Sequence, residues 1–108
     1  MAVEIHDNSK EISEDIKSAL LRGLEKCGLT AERFAKKLAP YDTGNLRNSI
    51  THEVDDGEPA VYIGTNVEYA PYQELGTINM DANPFLKPAV AEHANEYRKI
   101  IENELKNG

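Results

Sequence analysis

Apolar residues recur through the first third of the chain at a spacing that only a long helix can use. Ile12, Ile16, Leu20, Leu24, Cys27, Ala31, Phe34 and Leu38 follow one another at steps of four, four, four, three, four, three and four. A helix turns about every 3.6 residues, so these side chains form one stripe that must be buried against something. Asn8 or Ser9 can cap the start by accepting a backbone N–H. Pro40 stops it, because the residue before a proline is pushed out of helical angles. A helix from about residue 9 to 38 would be roughly 43 Å long at about 1.5 Å per residue. The chain has only 108 residues, and a compact domain of that size has a radius of gyration of about 13 Å. The helix therefore either bends at Gly28 or carries one end beyond its own core toward a neighbour.

That length predicts one domain over residues 1–108, with a single core and no deep cleft between domains. Twelve Lys and Arg stand against nineteen Asp and Glu, a net charge of −7. Such a chain is a poor general binder of nucleic acid or of an anionic membrane, both of which call for a basic surface. One cysteine, Cys27, excludes an intrachain disulfide and a cysteine zinc cluster. The start, Met1 to Asp7, lacks the basic and apolar runs of a signal peptide, and no stretch reaches the ~20 apolar residues of a membrane span. The expectation is a soluble protein made in a cytoplasm.

The middle of the chain changes period. Ser49 to Val54 is rich in β-branched residues, Asp56-Gly57 signals a turn, and Ala60 to Gly64 reads as a second strand, with Val61 and Ile63 on one face. This predicts an antiparallel hairpin over about 49–64. Two strands alone are marginal, and Val3 to Ile5 can supply another. Val67 to Leu75 predicts a short helix ended by Gly76, and Thr77 to Asn83 a polar loop. Val90, Ala94, Tyr97, Ile101 and Leu105 predict a last helix over about 85–106. The predicted fold class is α+β: long N-terminal and C-terminal helices packed on a small antiparallel β-sheet, with a short extra helix.

Catalytic chemistry is not visible. His6, His52 and His93 form no pair at helical ligand spacing. His52-Glu53 with Asp55 and Asp56 resembles a metal site, but a solvated hairpin turn explains those residues better. Cys27 sits on the apolar stripe, where a small buried hydrophobe is the favoured reading over a nucleophile. No phosphate-loop glycine pattern and no motif-placed pair of carboxylates occurs. Neither a cofactor nor a metal is expected, nor an enzyme.

Three turn-rich strings remain. The first holds Pro40, Asp42, Thr43, Gly44, Leu46, Ser49 and Ile50; the second Gly64, Tyr69, Ala70, Tyr72, Glu74, Gly76 and Thr77; the third Pro84, Phe85, Leu86, Pro88 and Ala89. Read from physics alone, they are scaffold: caps, tight bends, and apolar residues docking on the core. In this order, after a long helix, they resemble the tail-completion or head–tail joining family of HK97-like siphophages, related to the lambda Z-type minor tail proteins. The resemblance covers residues 40–89, and Leu75 departs from it where that family usually has Phe.

The resemblance implies a structural protein of a phage or prophage virion at the head–tail junction. It implies a homo-oligomeric ring, with six subunits the expected count, that touches the connector or adaptor on one side and the tail tube or terminator on the other. A head-side neck adaptor, a tail terminator and a small non-catalytic regulatory binding protein are the alternatives. Ring contacts join two different faces of one subunit. Tyr69, Tyr72, Glu74, Gly76 and Thr77 are the candidate interface on one face, and the first helix contributes to the other. DNA would pass nearby without specific binding, and acidic subunits would line its channel with repelling charge.

Overall fold

Ser13 starts the long helix. In the computed structural model, which describes residues 2–6, 13–39, 45–78 and 81–107, its hydroxyl accepts the Ile16 N–H at 3.3 Å and its carbonyl accepts the Lys17 N–H at 2.8 Å. Helix α1 runs Glu14–Leu38, a later start than the one expected near residue 9. The cap and the acidic pair Glu14 and Asp15 favour this start, since both suit the positive end of a helix. Asn8, Ser9 and Ile12 lie outside the described residues. At the other end Lys36 and Lys37 face the negative pole, and the Ala39 N–H closes on the Ala35 carbonyl at 2.9 Å. Ala39 then takes extended angles, as a residue before proline must.

The predicted stripe is buried at its centre and exposed at its ends. Leu20, Leu24, Cys27 and Ala31 are inside, whereas Ile16 and Leu38 are exposed. Gly28 lies within one uninterrupted helix. It removes a Cβ that would sit 2.3 Å from Cδ2 of His52, so the sheet can lie close against α1.

A short helix α2, Asn45–Ser49, precedes the hairpin and takes in Ser49, the residue expected to open a strand. Strand β1 spans Ala2–His6, β2 Thr51–Asp55 and β3 Ala60–Gly64. Their order is β1-β3-β2, all antiparallel, with Val3 opposite Ile63 on one side and Val54 opposite Val61 on the other. The Val3–Ile5 segment thus supplies the third strand. The β2–β3 turn is closed by a side chain: Asp55 Oδ1 accepts the N–H groups of Gly57 at 2.9 Å and Glu58 at 3.4 Å. Gly57 has no positive φ, so this turn does not use glycine's left-handed freedom.

Helix α3 spans Ala70–Leu75, a shorter element than the predicted 67–75, with Val67 to Tyr69 forming the turn that leads into it. The predicted last helix is two: α4, Leu86–Ala91, and α5, Ala94–Asn107. An unbroken helix would give the Ala89 carbonyl to the His93 N–H. Instead His93 N–H reaches the Val90 carbonyl at 3.4 Å, and the buried Tyr97 hydroxyl donates to Ala89 O. A side-chain hydrogen bond has replaced a helical one, and the helix is interrupted there.

Helix α1 is the hub: the sheet lies on one side of it, and α4 and α5 on another. Phe85, Leu20, Leu24, Ile50, Leu86, Val61 and Cys27 are the largest side chains wholly inside. The Cys27 thiol donates to the Tyr97 carbonyl at 3.6 Å, and burial pushes it up to about 11, so it stays neutral and packs as a hydrophobe. The Cα radius of gyration is 15.2 Å and the extents are 51 × 21 × 20 Å. The molecule is therefore elongated.

Candidate functional site

The three strings fold into one scaffold. Leu46 and Ile50 are buried. Between them the Ser49 hydroxyl donates to the Leu46 carbonyl at 2.7 Å and meets the Thr65 hydroxyl, which accepts the Val67 N–H at 3.2 Å. Two short polar side chains thereby tie the first string to the second. Gly64 ends β3, opposite Ala2 on one side and Thr51 on the other. Pro40, Asp42, Thr43 and Gly44 lie outside the described residues.

Glu74 ties the second string to the third. Sequence groups it with the interface, yet it is only 5% exposed. Its Oε1 accepts the N–H groups of Phe85 at 3.0 Å and Leu86 at 2.9 Å, and its Oε2 accepts that of Lys87 at 3.1 Å. These are donors at the start of α4 that no helical carbonyl can reach. A carboxylate is suited to this position because it accepts several donors at once. Glu74 therefore fixes the entry of Phe85 and Leu86 into the core. Pro84 stays exposed and Pro88 half-buried.

What the scaffold presents is apolar. Tyr69 and Tyr72 are exposed, Tyr72 at 57%, and next to them Leu75 is 71% exposed and Ile78 fully so. Gly76, at φ 79°, ends α3 with its N–H on the Tyr72 carbonyl at 2.8 Å. That positive φ suits glycine, and Thr77 and Ile78, which follow it, are exposed. Four large apolar or aromatic side chains within ten residues are thus exposed beside a hydrogen-bonded frame.

Two features escape the sequence reading. On β2, His52 does not belong to the turn: it lies over Gly28 of α1, with Nδ1 on Glu32 and Nε2 at 2.7 Å from Glu25. Burial alone lowers the imidazole's pKa, but the hydrogen bonds and charges of Glu32 and Glu25 outweigh it, and the net shift is upward from 6.5. The signal was present as two glutamates seven residues apart astride a glycine. The other feature is a groove between α1 and α2, lined by Leu29, Glu32, Arg33, Lys36, Lys37 and Arg47. Its basic character is hidden by the chain's acidic total. Among the described residues, no cluster of His, Cys, Asp and Glu has the arrangement of a metal site, and no helix is long and apolar enough to cross a membrane.

A family model described as "Bacteriophage HK97-gp10, putative tail-component" matches residues 4–76. The chain belongs to the HK97-gp10-like family. The match runs from within β1 through α3, taking in the first string and the second as far as Gly76, and stops before Thr77 and the third string. No curated protein and no solved structure gives a significant match. Membership of this family makes the chain a structural component of a phage tail, and so a part of the virion that acts through contacts with other virion proteins.

Proposed function

We propose that this HK97-gp10-like protein is a tail-completion or head–tail joining subunit that works as a homo-oligomeric ring between the head connector and the tail. The observation that carries the reading is the ridge of Tyr72, Leu75 and Ile78, large apolar side chains held outward on a rigid frame in a phage tail component. A further support is the shape, since a subunit drawn out to 51 Å on a 21 × 20 Å section has distinct faces to offer two neighbours.

Tyr72→Ala with Leu75→Asp tests the ridge. Both residues are exposed, so the melting temperature should stay within a few degrees of the parent, because surface changes of this kind cost at most about 0.5 kcal/mol. Light scattering after gel filtration should show the assembled fraction falling sharply. A well-folded variant that assembles undiminished rejects the ridge as a contact. The role itself is tested by electron microscopy of particles made without this gene: separate heads and finished tails are expected, and intact infectious virions would refute it.

A further inference from the structure

The net charge is segregated along the chain. Residues 48–86 contain seven Asp and Glu and neither Lys nor Arg, which accounts for the whole of the −7; in the rest of the chain, twelve acidic residues balance twelve basic ones. The densest acidic stretch is the end of the hairpin, where Glu53, Asp55, Asp56 and Glu58 are all exposed. The densest basic stretch is the groove, where Arg33, Lys36, Lys37 and Arg47 surround the exposed Leu29. Lys36 is partly satisfied by Glu32 at 3.5 Å. Among the described residues, no ion pair engages the four hairpin carboxylates, Arg33 or Lys37.

The fold keeps the two patches apart. Arg47 precedes β2 and the turn follows it, and five extended residues span about 15 Å. Strand β2 is pinned to β3 on one side and to α1 through His52, so the turn cannot fold back into its own groove. It can reach the groove of another copy. We infer that the acidic β2–β3 turn of one subunit docks in the basic α1–α2 groove of the next, so that subunits meet head to tail through opposite charge. The inference rests on the ring reading and names a contact in it. A turn and a groove on different parts of one molecule give a heterologous contact, the kind that closes a ring or propagates a filament. Opposed potentials also align the encounter and disfavour wrong pairings of acidic faces.

The test joins charge reversal to zero-length crosslinking. Arg33→Glu/Lys37→Glu reverses the groove and leaves Lys36 on Glu32. Asp56→Lys/Glu58→Lys reverses the turn and leaves Asp55 to close it. Carbodiimide coupling of mixed light and nitrogen-15 protein should give inter-chain peptides joining Lys36 or Lys37 to residues 53–58. Each reversed variant, melting as the parent does, should self-associate at least tenfold more weakly. Mixing the two should restore assembly, with the variants alternating at one to one, and combining all four changes in one chain should restore self-association. A folded, reversed variant that associates undiminished, with crosslinks joining other segments, overturns the docking while leaving the ring reading intact. A parent chain that gives no inter-chain crosslink and sediments as a monomer at millimolar concentration overturns both.

Discussion

Two glycines on the same helix face opposite fates when given a methyl group. A Cβ at Gly23 would meet Ile101 at 3.4 Å, an ordinary contact, so Gly23→Ala should gain up to about 1 kcal/mol from helix propensity. At Gly28 the same methyl would lie 2.3 Å from His52, whose ring is itself held by Glu25 and Glu32. Gly28→Ala must displace the imidazole and should cost about 1–3 kcal/mol despite its better propensity. Urea titration of the pair should show midpoints moving in opposite directions. His52 also sets a pH dependence. Its folded pKa is raised above 6.5, so its contribution is fully present below about pH 6.5 and is lost as the pH rises through the folded value. Unfolding midpoints should fall over that upper range in the parent and stay flatter in His52→Gln, and an identical slope in both would remove His52 as the source. Glu74 is a different kind of residue, one acceptor for three N–H groups. Glu74→Ala should cost about 2–4 kcal/mol by leaving those donors unpaired, with Glu74→Gln, which keeps one carbonyl oxygen, milder in thermal melts.

At the scale of elements, the break between α4 and α5 depends on one hydroxyl. Burial pushes the Tyr97 phenol up to about 12, which keeps it a donor, and its bond to Ala89 O takes the place of a helical one. Tyr97→Phe should cost about 1–2 kcal/mol and let the 91–94 segment close toward a continuous helix, visible as a gain in helical circular dichroism. That break was not legible in the sequence, because Val90, Ala94 and Tyr97 keep a helical period straight through it. Periodicity reports which face is apolar and is silent on a hydrogen bond made across a turn. The helix α1, the hairpin and even the β1 strand were legible, since each rests on local spacing or on β-branched residues. The role of Glu74 was not: its three partners lie eleven to thirteen residues away, beyond any local pattern. The residues proposed for the interface differ along the same line. Tyr72, with no buried task, stands exposed, while Glu74, which has one, turned inward.

For the whole molecule, the net charge of −7 is unevenly placed, with an acidic hairpin on one part and a basic groove on another. Two surfaces therefore compete to explain the proposed assembly, and they respond differently to salt. Electrostatic range shrinks from about 10 Å at 0.1 M to about 3 Å at 1 M ionic strength, so a contact between turn and groove weakens as salt rises. The ridge of Tyr72, Leu75 and Ile78 is apolar, and burial of such a surface is unaffected or strengthened by salts of the sulfate kind. If the turn and groove orient the subunits, raising sodium chloride from about 0.05 M to about 0.5 M should move the self-association midpoint to at least tenfold higher protein concentration. The Arg33→Glu/Lys37→Glu variant should already lie near that weaker limit and respond little. Sedimentation velocity across a salt series reads both. Association in the parent that tightens as salt rises would assign subunit contact to the apolar ridge.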